Sequence, residues 1–449
     1  MKKNLLILLI LSGLILGVGF AFLPVKISLL LLAGIIAVVV LLMDYQRVTY
    51  VVGLYPILYA LTLNSPIASI WDELLIIFCI MVWFFKWFVH RKESPYNWTP
   101  IEFPMIAMFV IGFFLLYTSE PPLSLALDGL RAVVEYMLFF FIVVQLLRSE
   151  TGAKRLIYVL VFSGAYMGFV GIYQYFTNVE TPAGWMDKVE IKSAPRVFSI
   201  IGNPNALGAL MVLLIPLALS LVLSEPKWIK KIVFAVSAAS MTLCLVFTGS
   251  RSSWIGFAAA LIIYSILSKN TKILVGLAVS AALVYATVPS VQERIGYMLT
   301  DEYIKSSNRD GRIIRWARAI KVFYEYPWFG IGLGRFGGAV ASINKVRGTF
   351  YIDNYYLKIL VEMGIFGFIA FINLLYNSLV WPLRAIGKVK DGISKGIVQS
   401  GFSALCGVLV TNVVLNNFDA PSVATYYWVV VAVIVYLGFV NKNADKKVL

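Results

Sequence analysis

The sequence has little of what soluble catalysis ordinarily uses. Its 449 residues include one histidine, His90, inside a Lys/Arg-rich segment, so an imidazole base or a His-built metal site elsewhere is excluded. The three cysteines, Cys79, Cys244 and Cys406, lie far apart within apolar runs. That spacing offers neither a disulfide framework nor a thiolate metal site, and they read as small buried hydrophobes. Charged residues make up only 14% of the chain. No soluble basic domain can be built from so few, so nucleic acid is not the expected partner despite a formal net charge of +15. There is no Walker motif, which argues against direct ATP drive. No Asp-x-Asp motif stands outside the apolar runs, which argues against a metal-dependent sugar-nucleotide transferase. No metal and no cofactor is expected.

What the chain does have is apolar length. It is 60% hydrophobic, with a mean hydropathy of +0.85. Apolar runs near 20 residues recur, each long enough to cross a hydrocarbon core of roughly 30 Å. The spans are read at 4–23, 27–43, 49–64, 70–89, 102–118, 125–147, 155–176, 205–224, 231–248, 253–268, 272–289, 355–381, 396–416 and 421–440. The first follows Met1-Lys2-Lys3 like a signal peptide, but no small-residue cleavage site follows and it is read as retained. The expected fold is all-α: a polytopic membrane protein of about 12–14 transmembrane helices in the lipid bilayer, with one large outer loop. Residues 1–195 form N-terminal helices, 196–380 a core containing the outer loop 290–354, and 381–449 the C-terminal helices.

Loop charge sets the orientation. Lys2/Lys3, Arg47, Lys86/Arg91/Lys92, Arg148/Lys154/Arg155, Lys227/Lys230/Lys231, Lys269/Lys272, Arg384/Lys388/Lys390/Lys395 and Lys442/Lys446/Lys447 all fall on one side of the fourteen spans. The positive-inside rule makes that side, and both termini, cytoplasmic. Ten arginines then fall on the other side: Arg131, Arg196, Arg251, Arg294, Arg309, Arg312, Arg315, Arg318, Arg335 and Arg347. Arginine is poor topology chemistry there. Its planar fork suits a diphosphate.

The outer loop 290–354 is too aromatic for a linker, with Trp316, Trp328, Phe336 and Phe350 among others. Ser307 and Asp310 offer cap chemistry, and Tyr326-Pro327 ends the pattern. Between them Ile313, Trp316, Ala317, Ile320 and Tyr324 repeat at helical spacing, with Arg312, Arg315 and Arg318 on another face. This is an amphipathic helix suited to the membrane interface, where its arginines meet either lipid headgroups or a ligand. Arg312, nearest the apolar face, is expected to point inward. The glycines of Pro327-Trp328-Phe329-Gly330-Ile331-Gly332-Leu333-Gly334-Arg335-Phe336-Gly337-Gly338 lack the strand and Lys-Ser/Thr ending of a nucleotide loop. They read as a turn back to the membrane, with some backbone N–H contribution to anion binding.

Four further clusters carry chemistry. Thr248-Gly249-Ser250-Arg251-Ser252-Ser253 joins two spans almost without a loop and puts Arg251 at the outer boundary, as a ligand contact or a snorkelling residue. Arg196 precedes Gly202-Asn203-Pro204-Asn205, where an Asn is a helix cap and Arg196 is a further phosphate or glycan contact. Arg131 and Glu135, four apart, read first as an ion pair. Asp353-Asn354, where the loop re-enters the membrane, offers either an N-cap or a carboxylate able to take a proton from an acceptor hydroxyl.

In order and spacing these pieces resemble the O-antigen ligase and O-antigen polymerase superfamily. The resemblance runs from about Arg196 to Val380. It is carried by the Gly-Asn-Pro-Asn segment, Thr-Gly-Ser-Arg251-Ser, Gly311-Arg312-x-x-x-Trp316, Pro327-x-x-Gly330-x-Gly332-x-Gly334-x-Phe336, and Asp353-Asn354-x-x-Leu357-x-x-x-x-Glu362-x-Gly364. It implies a metal-independent glycosyltransferase of the bacterial cytoplasmic membrane. Its donor would be an undecaprenyl-diphosphate-linked glycan and its acceptor a second glycan, at the outer membrane face. The family's two diphosphate-binding arginines fall on Arg251 and Arg312. Ligases commonly carry a His just before the Asn of the last motif, whereas this chain has Asp353, which leans toward polymerisation. The expected catalytic set is Asp353, Arg251 and Arg312, with Arg196, Asn203, Arg315, Asn354 and Arg131 toward substrate. Ligase-type transfer to a lipid or protein is the alternative. A lipid-linked oligosaccharide flippase or a non-catalytic scaffold are readings of other classes.

Overall fold

The computed structural model describes residues 44–89, 96–118, 122–180, 195–298, 300 and 311–441. The spans expected at 4–23 and 27–43, and the cap residues Ser307 and Asp310, lie outside them. The described residues are helical, with no strand among them. Seven helices are long and apolar enough to cross a membrane: Glu150–Phe176, Pro204–Ser224, Trp228–Phe247, Arg251–Ser268, Tyr355–Ile386, Ile393–Thr411 and Pro421–Val440. The chain is a multi-pass membrane protein.

Pro204–Ser224 and Pro421–Val440 are the centre of the bundle, with 83% and 89% of their apolar windows buried. Leu, Ile, Val and Ala occupy every side of both, as a helix surrounded by other helices requires. Trp228–Phe247 and Arg251–Ser268 lie further out, at 39%. Arg251–Ser268 crosses Ile393–Thr411 at two glycines, where a Cβ on Gly256 would stand 2.8 Å from the Gly407 carbonyl oxygen. Without a hydrophobic force between helices in lipid, such small-residue crossings let dispersion contacts form.

Several expected spans are broken. The 49–64 run forms Gln46–Gly53 and Tyr55–Thr62, parted at Leu54 where Pro56 opens the second helix. The 125–147 run forms Leu123–Val134 and Leu138–Leu146 around a tight turn at Glu135–Met137. Lys272–Thr287 bends by 95° into Pro289–Tyr297. Pro289 cannot donate the backbone hydrogen bond that would continue the helix.

The break in Tyr355–Ile386 organises the loop that precedes that helix. Gly364 has φ +64°, a conformation glycine adopts without strain. There the helix opens to receive the glycine-rich segment. Ile365 donates its N–H to Pro327 O at 2.8 Å, Ile331 to Val361 O at 3.0 Å, and Gly332 to Glu362 O at 3.1 Å. A Cβ on Gly330 would stand 2.5 Å from the Val361 carbonyl oxygen. Above this joint Ala319, Phe336, Ile352 and Val361 form a small separate core with Trp316, Phe323 and Phe350.

Candidate functional site

Several amides of the glycine-rich segment are engaged within the protein. Besides the Ile331 and Gly332 bonds above, Phe336 N donates to Glu362 Oε1 at 2.9 Å and Gly337 N to Thr349 Oγ1 at 3.3 Å. Its alternating glycines serve close approach to the broken helix.

The segment is also fastened to buried charges. Lys358 Nζ lies 2.8 Å from Asp419 Oδ1 and 3.5 Å from Glu362 Oε2, all three essentially inaccessible. Asp419 Oδ2 accepts from Ala339 N at 3.2 Å. A Cβ on Gly338 would crowd the Lys358 stem, at 2.5 Å from Cε. Lys358 and Glu362 are four apart on one helix, an intramembrane pair that the sequence could have disclosed as a site. Asp419, distant in sequence, gave no such signal.

The expected amphipathic helix is Arg312–Glu325, begun at Gly311. Its predicted apolar stripe is exposed at Ile313, Ile320 and Tyr324. Trp316 leaves that stripe and donates Nε1–H to Ile352 O at 3.1 Å. The inner face therefore runs Arg312, Arg315, Trp316, Ala319. Arg312 does point inward. Arg315, expected at the headgroups as readily as at a ligand, points inward too, while Arg318 is exposed. Arg315 Nη1 donates to Tyr351 O at 2.7 Å and to Asp353 Oδ2 at 2.9 Å. Arg312 Nε stands 3.8 Å from the same carboxylate oxygen.

Asp353 has φ +52°, in the left-handed region that Asp tolerates better than most residues. The helix cap beside it is Asn354, whose Oδ1 accepts from Leu357 N at 3.0 Å. Asp353 is thereby left for other work. Burial pushes its carboxyl above the usual carboxylate range, against the opposing pull of Arg312 and Arg315. It lines a cavity of about 310 Å³ together with Asn203, Asn205, Tyr351, Asn416 and Asp419.

Arg251 is the first residue of its helix, after the turn at Thr248–Ser250. Two other arginines fix that turn. Arg196, nearly buried, donates Nε–H to Thr248 O at 2.9 Å and Nη2 to Asn205 Oδ1 at 2.7 Å. Arg294 Nη1 donates to Gly249 O at 3.2 Å. Gly249 has φ +59°, and a Cβ there would stand 2.8 Å from the Arg294 guanidinium carbon. Arg196 thus joins the Arg251 turn to the cavity rim, because Asn205 lines the cavity. Small side chains permit the close fit: Ser253 Oγ would sit 2.5 Å from a Cβ on Gly208.

Arg251 and Arg312 share an arrangement. Each opens a helix that has no side-chain cap and no acidic residue in its first turn. A cation at the positive end of a helix dipole is unfavourable by about 0.3–1 kcal/mol unless an anion joins it. With an anion present, guanidinium and backbone N–H groups act together.

The remaining expected contacts have protein partners. Asn203 caps Pro204–Ser224, its Oδ1 accepting from Asn205 N at 2.8 Å and Ala206 N at 3.2 Å. Arg131 is ion-paired with Glu73, with Glu135 at 3.4 Å and with Asp128 at 3.7 Å. Asp72, Glu73 and Glu135 lie within 4.8 Å of one another, close enough to share a cation. Arg131 already supplies positive charge there. Arg347 is exposed, and Arg309 lies outside the described residues.

No curated protein matches the chain. Residues 234–372 match the family model described as O-Antigen ligase, and that stretch holds Arg251, Arg294, Arg312, Arg315, Asp353, Lys358 and Glu362. Over that stretch this membrane protein is similar to the O-antigen ligase family.

Proposed function

We propose that the protein joins lipid-diphosphate-linked glycans at the outer face of the bacterial cytoplasmic membrane, with both termini cytoplasmic. Polymerisation of repeat units is the favoured form, and transfer to a lipid or protein acceptor the variant of it. Undecaprenyl diphosphate is the donor carrier by family resemblance. The observation that carries the reading is the pairing of Arg312 and Arg315 with Asp353 at the wall of a cavity that also holds asparagines and Asp419.

In this reading the acceptor hydroxyl gives its proton to Asp353. The acceptor oxygen then attacks the anomeric carbon of the donor, and the bond from that carbon to the diphosphate oxygen breaks. The electron pair leaves with the diphosphate. Arg251 and Arg312 hold the charge that develops there through bidentate hydrogen bonds, assisted by the helix N-termini they open. Inversion at the anomeric carbon is expected from the resemblance. Burial supports the base assignment, since a raised carboxyl pKa strengthens proton abstraction. Arg196 and Arg294 act through the Arg251 turn and are positioning residues. Trp316 and the small core beneath it fix the outer helix over the site, which keeps water from the activated donor.

The test uses purified full-length protein in lipid nanodiscs with a polyprenyl-diphosphate oligosaccharide. New glycosidic bonds and released polyprenyl diphosphate are expected. Movement of the lipid across a vesicle bilayer without new bonds would instead make the protein a flippase.

A further inference from the structure

The cavity beside Asp353 has a composition that bond formation alone does not require. At about 310 Å³ it lies at the lower end of the roughly 300–1,000 Å³ typical of small-molecule sites, room for a short terminal stretch of glycan. Among the described residues no Lys or Arg lines it, while asparagine, serine and two carboxylates do. Arg312 and Arg315 touch Asp353 without joining the lining.

The asparagines are complementary in what they leave open. Asn416 is 8% exposed and donates Nδ2–H to Gly337 O at 2.6 Å. Its Oδ1 is buried and has no partner. That oxygen asks for an N–H or O–H donor. Asn203 and Asn205 are the reverse. Their Oδ1 atoms accept from protein, and their amide N–H groups make no bond among the described residues. Asp353 takes both guanidiniums on Oδ2, and its Oδ1 makes no hydrogen bond among the described residues. Asp419 is already held by Lys358 and Ala339.

We propose that this cavity is the acceptor-sugar subsite and that it selects uncharged, hydroxyl- and amide-bearing sugars over sugars carrying a carboxylate. The inference rests on the glycosyl-transfer reading of Asp353. A hydroxyl or acetamido N–H satisfies Asn416 Oδ1, and an acetamido carbonyl accepts from Asn203 or Asn205. A carboxylate brings negative charge beside Asp353 and Asp419, whose neighbouring cations Arg312, Arg315 and Lys358 already face those two carboxylates from outside the lining.

The experiment uses full-length protein in nanodiscs and two short oligosaccharides that differ only in the terminal sugar, an N-acetylhexosamine or a hexuronic acid. Binding is followed by saturation-transfer NMR without donor, then transfer is measured with donor. The neutral glycan should bind about tenfold tighter or more, as expected for a like-charge contact in a partly buried site. Asn416→Leu should weaken its binding. Ser342→Lys places a cation on an exposed lining position and should erase or reverse the preference without disturbing the core. Equal or tighter binding of the uronic acid glycan by the wild type overturns the inference, as does a preference unchanged in Ser342→Lys. Transfer that shows no such preference overturns the selectivity and leaves Asp353 as the base. Binding with the preference, but no transfer from any lipid-linked donor, upholds the selectivity and overturns the enzymatic reading.

Discussion

Arg315 Nη1 stands 2.9 Å from Oδ2 of Asp353, and Arg312 Nε stands 3.8 Å from the same oxygen. The nearer arginine also donates to Tyr351 O, so its position is fixed by two acceptors. The farther one has a buried Nε with no hydrogen-bond partner. The pair divides the work between them. Arg315 holds the carboxylate, and Arg312 keeps donor capacity for an anionic ligand.

A pH profile follows from that division. Burial holds the Asp353 carboxyl above its usual range despite the two guanidiniums. Transfer should therefore fall on acidification at a pH above the ordinary carboxylate range, because the base must be ionised. Arg315→Gln should move this acid limb further up by removing the closer positive charge. The stability contribution has the opposite sign. A raised carboxyl favours the folded state below the unfolded-chain value, and that contribution is lost as pH rises through the raised value. Rate–pH curves of the wild type and Arg315→Gln check this. An unmoved limb would remove Asp353 from the base role.

The Lys358–Glu362–Asp419 cluster should be structural in its first effect. Lys358→Met leaves two buried carboxylates without their cation, a loss of about 3–5 kcal/mol for breaking a buried ion pair. Thermal unfolding in detergent should show a large fall in Tm, and proteolysis should open the outer loop, since Glu362 and Asp419 also hold Phe336 N and Ala339 N. A variant as stable as the wild type contradicts the fastening described.

Gly364→Ala should damage the site from a distance. The alanine would adopt positive φ, a strain of roughly 1–3 kcal/mol, and its Cβ would collide with the Trp328 carbonyl. The joint between the broken helix and the glycine-rich segment should loosen. Hydrogen exchange should rise at Ile331, Gly332 and Ile365, whose amides cross it. Gly296→Ala is the control, since nothing lies within 4 Å of a Cβ there.

Arg294→Ala and Arg131→Ala should separate positioning from bundle stability. Arg294 donates to Gly249 O, two residues before Arg251, so its loss should lower the transfer rate at saturating acceptor with little change in acceptor affinity. Arg131 joins carboxylates from two helices. Its loss should lower expression and Tm, and leave the rate per folded molecule near wild type. Rates normalised to folded protein distinguish the two.

The helical membrane architecture was legible because apolar runs near 20 residues admit few other readings. Breaks at Leu54, Glu135 and Gly364 were not, because an apolar run looks alike whether its helix is continuous or interrupted. Arg251 and Arg312 stood out in the sequence as arginines beside small or amphipathic neighbours. That both open uncapped helices needed coordinates. Arg315 was undecided between headgroups and ligand because helical spacing fixes a face but not which face meets the protein. The fit of the glycine-rich segment against the broken helix was not legible, since glycines that admit a helix backbone and glycines that admit a phosphate look identical in sequence. Asp419 and Asn416 lie beyond the motif region and reach the site only through the packing of the last helices.

The measurement closest to the central claim is the transfer rate of Arg251→Ala and Arg312→Ala with a polyprenyl-diphosphate donor, normalised to folded protein. Removal of a group that stabilises the leaving charge should cost about 100- to 1,000-fold in rate for each variant, and Tm should change little. Wild-type rates in either variant contradict the assignment of that arginine to the diphosphate.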